Sequence, residues 1–260
     1  MKRYFLASIS TLILSQASNA NAYESISYPS MVWDDVTHVL SAPARWEKDE
    51  WQTAGWTSLA VLGTVAFIDK PVRNFMAKQD QNNKFWLNAD KFGREYAFGT
   101  VGVFFVAGLL GDETSMHVTQ DAVAASIISS GIIGVSVKTI VGRSRPLANQ
   151  GTTHFAPFTD SNSSFFSGHS TQAFTLAAVI SENYNETWID VTAYSIASLV
   201  AIGRTYHGKH FTSDVITGGV VGTLVGKSVV AHNKDLRGNK LSITPVVSQD
   251  VVGLQIAGKF

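Results

Sequence analysis

Residues 203–214, GRTYHGKHFTSD, form a short polar stretch between two apolar segments at 191–202 and 215–230. Apolar runs of 10 to 16 residues predict buried helices, and the polar residues between them predict a tight connection. The same kind of segment recurs upstream at 54–68, 98–111, 122–137 and 171–180. The chain is therefore predicted to be all-α, a helical bundle of about six core helices. Segments of this length suit buried helices better than membrane spans, which need about 20 residues.

The polar stretch carries a histidine and a carboxylate that can work together. His210 and Asp214 are four residues apart, so they share one face if the helix begins by His210. If the helix begins nearer Ser213, Asp214 can still bond back to the ring from the first turn. Either way, Asp214 can accept from one ring nitrogen and leave the other as a nucleophile. An isolated His-x3-Asp pair is more often a surface ion pair, so this pattern needs support from elsewhere in the chain.

A second polar cluster lies at 138–146, KTIVGRSRP. Lys138 closes an apolar helix, and Arg145 follows in a loop in which Pro146 restricts the backbone. A compact ammonium and a planar guanidinium together suit a tetrahedral oxyanion. Basic residues at a helix end also complement the helix dipole, which is the alternative interpretation of this cluster alone.

The third cluster is FFSGHS at 165–170, immediately before a predicted helix. Free backbone N–H groups at a helix start bind anions, and Gly168 allows the backbone to approach closely. Ser167 can add a hydroxyl donor, and His169 can supply a proton near neutral pH. The alternative is an N-cap serine followed by an exposed histidine.

The three clusters together resemble the signature of the type-2 phosphatidic acid phosphatase and vanadium haloperoxidase superfamily, in its phosphatase branch. That signature is Lys-x6-Arg-Pro, then Pro-Ser-Gly-His, then Ser-Arg-x5-His-x3-Asp. Eight positions match in order: Lys138, Arg145, Ser167, Gly168, His169, Arg204, His210 and Asp214. Phe166 stands where the family has proline and Gly203 where it has serine. Neither position supplies an essential charge, so the reaction class is unchanged.

The resemblance implies a phosphate site built from five of these residues. Lys138, Arg145 and Arg204 would hold the phosphate oxygens. Ser167 and the Gly168 amide would add hydrogen bonds. Fixed cations can stabilise a phosphoryl group as magnesium does in other enzymes, so no metal and no other cofactor are expected.

The resemblance also implies the catalytic roles of the remaining three. His210 would attack phosphorus and form a phosphohistidine. His169 would protonate the leaving oxygen. Asp214 would orient His210 and stabilise its charged form.

The composition excludes other classes of function. Basic and acidic residues balance at 20 each, with no basic stripe, so no nucleic-acid partner is expected. The absence of cysteine excludes disulfides, thiol nucleophiles and Cys-ligated zinc. Arg143, His207 and Lys209 lie close to the motifs and are predicted to be solvent-exposed. Asp121 is predicted to cap the third apolar segment.

The two ends of the chain differ from its centre. A basic start, an apolar stretch at 4–14 and small residues up to Ala22 have the layout of a secretory signal peptide. The predicted organisation is a signal peptide at 1–22, a helical phosphatase domain at 23–239 and a C-terminal segment at 240–260. β-branched residues in that last segment predict a small β-hairpin.

The signal peptide indicates the periplasm or cell envelope. The short apolar segments and a mean hydropathy of +0.10 favour a soluble or membrane-associated domain, with an integral inner-membrane protein as the alternative. The expected function is hydrolysis of a phosphate monoester or diphosphate, with a phosphorylated lipid as substrate. A broad-specificity acid phosphatase acting on a small soluble phosphate ester is the alternative. A vanadate-dependent haloperoxidase and a non-catalytic envelope scaffold are weaker hypotheses.

Overall fold

The structure is a computed structural model that describes residues 27–159, 163–238, 242–247 and 252–257. The chain divides at Trp33, and the packing described below is that of the unit from Asp34 onward. Its helices are α1 (Tyr28–Ser41), α2 (Lys48–Gly63), α3 (Asp69–Met76), α4 (Lys84–Lys91), α5 (Glu95–Leu109), α6 (Glu113–Ser126), α7 (Val135–Val141), α8 (Gly168–Tyr184), α9 (Thr187–Tyr206) and α10 (Thr212–Gly238). Short 3-10 turns occupy Ala42–Arg45 and Pro146–Ala148.

The bundle is built from six long rods. Two of them are composite, because π-helical segments Thr64–Ile68 and Ile127–Gly134 join α2 to α3 and α6 to α7. The others are α5, α8, α9 and α10. Helix α8 lies at the centre and packs against α6, α9 and α10. Each rod contains one of the six predicted apolar segments, so the prediction of an all-α bundle of about six core helices is confirmed.

Glycines let α10 lie directly on the backbone of α8. A Cβ added at Gly222 would lie 2.4 Å from the Thr171 carbonyl oxygen, and one at Gly218 would lie 2.7 Å from that of Ser167. No larger residue fits at these spacings, so the two backbones are in contact. The start of α8 is also tied to α10, since the Ser167 N–H donates to the Asp214 carbonyl at 3.0 Å. This contact places the second and third sequence motifs side by side.

The end of α7 is fixed by a left-handed glycine. Gly142 has φ +60°, and its N–H donates to the Lys138 carbonyl at 3.0 Å. A Cβ there would lie 2.0 Å from the Ala156 carbonyl oxygen, so only glycine is accommodated. After α7 the chain leaves the bundle and continues through the 3-10 turn at Pro146–Ala148.

Two rods are longer than the apolar segments suggested. Glu113–Val141 contains 29 residues and Thr212–Gly238 contains 27, and both are long and apolar enough to cross a membrane. The helices are thus longer than the predicted segments, and the preference for buried helices over membrane spans stays a prediction. Polar residues flanking each apolar run are also helical, and they extend the rod beyond the run itself.

A buried polar cluster holds the ends of α6 and α10 together. Asp121 lies inside α6 and does not cap a helix, so that prediction is wrong. Its carboxylate accepts from Arg237 at 2.6 Å and from Asn233 at 2.9 Å. The Asn233 amide also donates to buried Asp35 at 3.2 Å. Burial raises the pKa of Asp35 to about 6.

Two strands follow the bundle. β1 (Ser242–Val247) and β2 (Val252–Ala257) pair antiparallel, with Ser242 opposite Ala257 and Val247 opposite Val252. The connecting residues 248–251 lie outside the described residues, so the complete hairpin and its boundary stay predictions. The signal peptide at 1–22 also lies outside the described residues.

Candidate active site

The three sequence motifs meet at one end of the bundle. Lys138 lies at the end of α7, Ser167 precedes α8, and Arg204 lies in the last turn of α9. The loop after α9 folds back, because the backbone N–H of His210 donates to the Arg204 carbonyl at 3.3 Å. Asp214 follows in the first turn of α10. Four helix ends therefore supply the side chains that the sequence singles out.

His210 is buried and held in one tautomer. Its Nδ1 lies 2.8 Å from the backbone carbonyl oxygen of Ser164. A carbonyl oxygen can only accept, so Nδ1 carries the proton and donates it. The lone pair of the neutral ring is then on Nε2. The ring orientation required of a nucleophile is thus set by a backbone group on the loop before α8.

Asp214 does not make the direct hydrogen bond to His210 that the sequence suggested. Its Oδ2 lies 3.8 Å from Nδ1, which is too long for a hydrogen bond but close enough for an ionic contact. The same oxygen accepts from the Ser164 hydroxyl at 2.5 Å and from the Phe211 N–H at 2.8 Å. Helix α10 begins at Thr212, so Asp214 caps its own first turn.

The surroundings of His210 keep its ring neutral. Burial lowers the pKa of His210 to about 4, and the nearby cations Arg204 and Lys138 lower it further against the opposing effect of Asp214. At neutral pH the Nε2 lone pair is therefore available. A neutral imidazole facing cations is the state that a nucleophile toward phosphorus requires.

Arg143 is buried, so the prediction that it is solvent-exposed is wrong. Its guanidinium lies 2.6 Å from Asp214 and 2.8 Å from Asp69, and all three side chains are almost fully buried. Two further donors point to the Thr152 carbonyl, at 3.0 and 2.6 Å. Asp69 in turn accepts from the backbone and hydroxyl of Ser213, at 2.9 and 2.6 Å. One arginine thus links two buried carboxylates behind His210.

Asp69 was missed by the sequence motifs. It lies 74 residues before Arg143, at the junction of the π-helical segment and α3. The available signal was a lone acidic residue closing a strongly apolar run, AVLGTVAFID at 60–69. A buried charge at such a position needs a cationic partner, although periodicity alone does not identify it.

A second missed acidic residue, Asp90, engages Arg204. The Arg204 Nη1 lies 3.0 and 2.9 Å from the two Asp90 oxygens, and the Lys209 ammonium lies 3.0 Å away. Burial alone would raise the pKa of Asp90, but the two cations lower it on balance. Lys209 is partly exposed as expected, yet it forms an ion pair. The Arg204 Nε is buried without a partner among the described residues, which leaves a donor for a ligand.

His169 and Arg145 line a cavity of about 700 Å³ together with Arg204. Burial lowers the pKa of His169 to about 4, with a further contribution from Arg204. The ring is therefore neutral in the free protein at pH 7. A phosphate dianion in the cavity would act in the opposite direction and favour the protonated ring.

The start of α8 combines a cap with an open approach. Ser167 caps the helix, since its hydroxyl oxygen accepts from the Ser170 N–H at 3.4 Å. A Cβ at Gly168 would meet nothing within 4 Å, so the first turn faces open space. Phe166, where the family has proline, is buried and follows a cis peptide bond. Lys138 donates to the Ser163 carbonyl at 2.8 Å, which holds its ammonium beside this turn.

His207 is also buried, so the prediction that it is exposed is wrong. Only 7% of its surface is accessible, and its Nε2 has no partner among the described residues. It lies outside the cavity that holds His169. Its ring makes an edge-to-face contact with the Tyr206 ring, with the centroids 5.3 Å apart. His207 therefore belongs to the packing of the connection between α9 and α10.

Comparison with known proteins agrees with the motifs. Residues 122–237, which contain the four converging helix ends, match the sequence profile of the PAP2 superfamily. The match covers somewhat less than half of the chain and shows similarity to this superfamily. A transmembrane PAP2-type phosphatidylglycerolphosphate phosphatase from Bacillus subtilis has a similar structure, with a TM-score of 0.50 and 20% identity. The similarity covers 69% of this chain and 95% of the other, and it concerns the fold.

Two curated relatives match a shorter segment of the chain. Both are from Porphyromonas gingivalis, and they are a lipid A 1-phosphatase and a lipid A 4'-phosphatase. Each is 38% identical, over 66 and 65 residues, which is 25% of this chain. The matched segment spans only 15% and 28% of the lengths of these relatives.

Proposed function

We propose that this chain hydrolyses the phosphate monoester or diphosphate of a cell-envelope lipid through a phosphohistidine on His210. The observation that carries the proposal is the tautomer of His210. Its Nδ1 is occupied by the Ser164 carbonyl at 2.8 Å, so the Nε2 lone pair is free to attack phosphorus. The comparisons support the reaction class through the similarity of residues 122–237 to the PAP2 superfamily and through two lipid phosphatase relatives.

In the first step, the Nε2 lone pair attacks phosphorus and forms an N–P bond. The P–O bond to the leaving group breaks, and the leaving oxygen takes a proton from His169. Lys138, Arg145 and Arg204 neutralise the charge on the other phosphate oxygens. Bound phosphate raises the proton affinity of His169, so the substrate itself prepares the acid.

In the second step, water attacks the phosphohistidine. Neutral His169 accepts a proton from the water, the N–P bond breaks, and its electron pair returns to Nε2. Inorganic phosphate leaves, and the net reaction converts the phosphate ester and water into the protonated leaving group and inorganic phosphate. Each half-reaction returns His169 to the protonation state that the other requires.

Asp214 offsets the positive charge that develops on His210 during attack. At 3.8 Å its carboxylate favours the charged ring without competing with the Ser164 carbonyl for Nδ1. Arg143 and the Ser164 hydroxyl hold the carboxylate at that distance. Ser164 therefore positions both members of the pair.

A lipid substrate is supported by the outer surface of the bundle. Large apolar side chains on the α2–α3 rod and on α5 are between 62% and 77% exposed: Trp56, Leu62, Phe67, Phe98 and Leu109. Exposed apolar patches on this scale mark a membrane or protein interface. With the 29- and 27-residue apolar helices, they support a chain embedded in the membrane that carries its substrate.

The activity is tested by phosphate release from phosphatidic acid in detergent micelles and from soluble p-nitrophenyl phosphate. We expect turnover of phosphatidic acid and its loss in His210→Gln. His154→Gln is a matched control, because His154 is exposed and bonds Ser144 on the outer loop. Turnover by His210→Gln equal to that of the wild type would refute the nucleophile. Turnover of the soluble ester alone would contradict a lipid substrate.

The location is tested by fractionation and by N-terminal sequencing. We expect the protein to stay in the membrane pellet after a carbonate wash, and the mature chain to begin at Tyr23 after signal cleavage. Release into the wash would contradict membrane embedding. An intact Met1 in the envelope fraction would contradict cleavage of residues 1–22.

A further inference from the structure

The cavity beside His169 is larger than one phosphate group requires. Its volume is about 700 Å³, room for roughly twenty water molecules at about 30 Å³ each. One wall consists of the predicted phosphate ligands Arg145 and Arg204. Much of the remaining lining comes from α4 and the turn into α5, which belong to none of the sequence motifs.

The lining of the cavity is mainly cationic. The cavity is lined by six cationic side chains: Lys84, Lys91, Arg94, Arg145, Arg204 and Lys209. Two acidic side chains, Asp90 and Glu95, face them, which leaves a surplus of four positive charges. A phosphate monoester carries about two negative charges at neutral pH. About two positive charges therefore remain unmatched when one phosphate is bound.

The unmatched charges can be assigned to particular residues. Asp90 is occupied by Arg204 and Lys209. The Lys91 ammonium donates to Asn88 at 3.2 Å. Lys84 and Arg94 form no side-chain hydrogen bond or ion pair with any part of the chain that the structure describes.

The backbone holds these two cations close to the reacting centre. Asn83 caps α4 directly before Lys84, its side chain accepting from two backbone N–H groups at 3.0 and 3.4 Å. Gly93, directly before Arg94, touches His169, since a Cβ there would lie 2.8 Å from the His169 Cβ. This part of the lining therefore has a fixed position against the proposed acid.

We propose that Lys84 and Arg94 form a subsite for a second phosphate group of the substrate. The inference rests on the proposed phosphatase function and defines its substrate class as a lipid with two phosphates. The second phosphate is either the neighbouring group of a diphosphate or a separate group in the same headgroup. Both present the same chemistry to an ammonium and a guanidinium.

The experiment compares substrates that have two phosphates with substrates that have one; the members of the first pair differ by one phosphate and those of the second by a glycerol phosphate unit. One pair is farnesyl diphosphate and farnesyl monophosphate; the other is phosphatidylglycerolphosphate and phosphatidic acid. We expect a higher kcat/KM for the two-phosphate member of at least one pair. In Lys84→Ala/Arg94→Ala that preference should fall by up to about 25-fold, since each exposed ion contact contributes up to about fivefold. The pair that responds identifies which arrangement the subsite binds.

Two controls separate this inference from the proposed function. Lys78→Ala removes an exposed cation outside the cavity, and we expect it to leave the preference unchanged. His210→Gln should abolish turnover of all four substrates, which tests the reaction and not the subsite. Raising the ionic strength should reduce the wild-type preference, because exposed charges are screened. A wild type without preference in either pair, or a double variant that keeps it, would overturn the subsite.

Discussion

Replacing Arg143 by methionine should strongly destabilise the fold. The substitution removes the cation between Asp69 and Asp214, whose side chains are both fully buried. It also leaves the Thr152 carbonyl without two donors, at 3.0 and 2.6 Å. Removing one partner of a buried ion pair costs about 3–5 kcal/mol. Here two like charges remain together, so we expect the upper half of that range.

The magnitude can be measured in mixed detergent micelles by denaturant unfolding, followed through tryptophan fluorescence. Trp86 is a suitable reporter, because it stacks on Tyr206 at 5.4 Å beside the site. Arg73→Met is the control, since Arg73 makes a single exposed hydrogen bond to Asn149 and should cost about 1 kcal/mol or less. A loss for Arg143→Met no larger than that of Arg73→Met would refute the buried-network argument.

A double variant sharpens the test. Asp69→Asn removes one of the two negative charges that Arg143 neutralises. In the Arg143→Met background it should therefore restore stability by about 1–3 kcal/mol. In the wild-type background it should destabilise, because it removes an ion pair at 2.8 Å. Simple additivity of the two substitutions would show that the charges are not coupled.

Three further outcomes are expected. Gly222→Ala should destabilise the fold by about 2 kcal/mol or more, because the added Cβ would clash with the Thr171 carbonyl. Gly55→Ala is the control: a Cβ there meets nothing within 4 Å, so it should be neutral or stabilising by up to about 1 kcal/mol. Thermal unfolding of the two variants measures both effects. Burial raises the pKa of Asp35 from 3.8 to about 6, so the wild type should lose about 3 kcal/mol of stability as pH rises from 4 to above 6. Asp35→Asn should remove that loss, and a variant with the same pH profile as the wild type would contradict the prediction. The pKa of His210 is lowered to about 4, so kcat/KM should fall on acidification only near that pH, and a fall centred at 6.5 would show an unperturbed imidazole.

The sequence was sufficient to predict the rods and the residues at their ends. The apolar segments lie inside six helical rods, and the polar motifs lie where those rods end. The motif spacing brought Ser167 and Asp214 to neighbouring helix starts, because both follow loops that return to the same end of the bundle. Local pattern was enough here, since each motif reports its own helix terminus.

The sequence did not predict the partners of these residues. Asp69 and Asp90 reach Arg143 and Arg204 across 74 and 114 residues, and no periodicity encodes such pairings. Arg143 was misassigned because a charge beside a loop is usually solvated, whereas here two distant carboxylates accompany it into the interior. The role of the Ser164 carbonyl could not be predicted for a different reason. Every residue has a backbone carbonyl, and only the fold determines its direction.

The link from Asp69 to the reacting centre, through Arg143, affects which residues must be included in the catalytic domain. The family profile matches residues 122–237, yet Asp69 and Asp90 lie upstream of that range and each neutralises an arginine within it. A fragment limited to the matched range would carry every motif residue but would lose one of the two carboxylates paired with Arg143 and the carboxylate paired with Arg204. Transplanting the motifs into another helical scaffold would meet the same difficulty. The structural unit that supports the site is therefore larger than residues 122–237, and it includes α3 and α4, which carry Asp69 and Asp90.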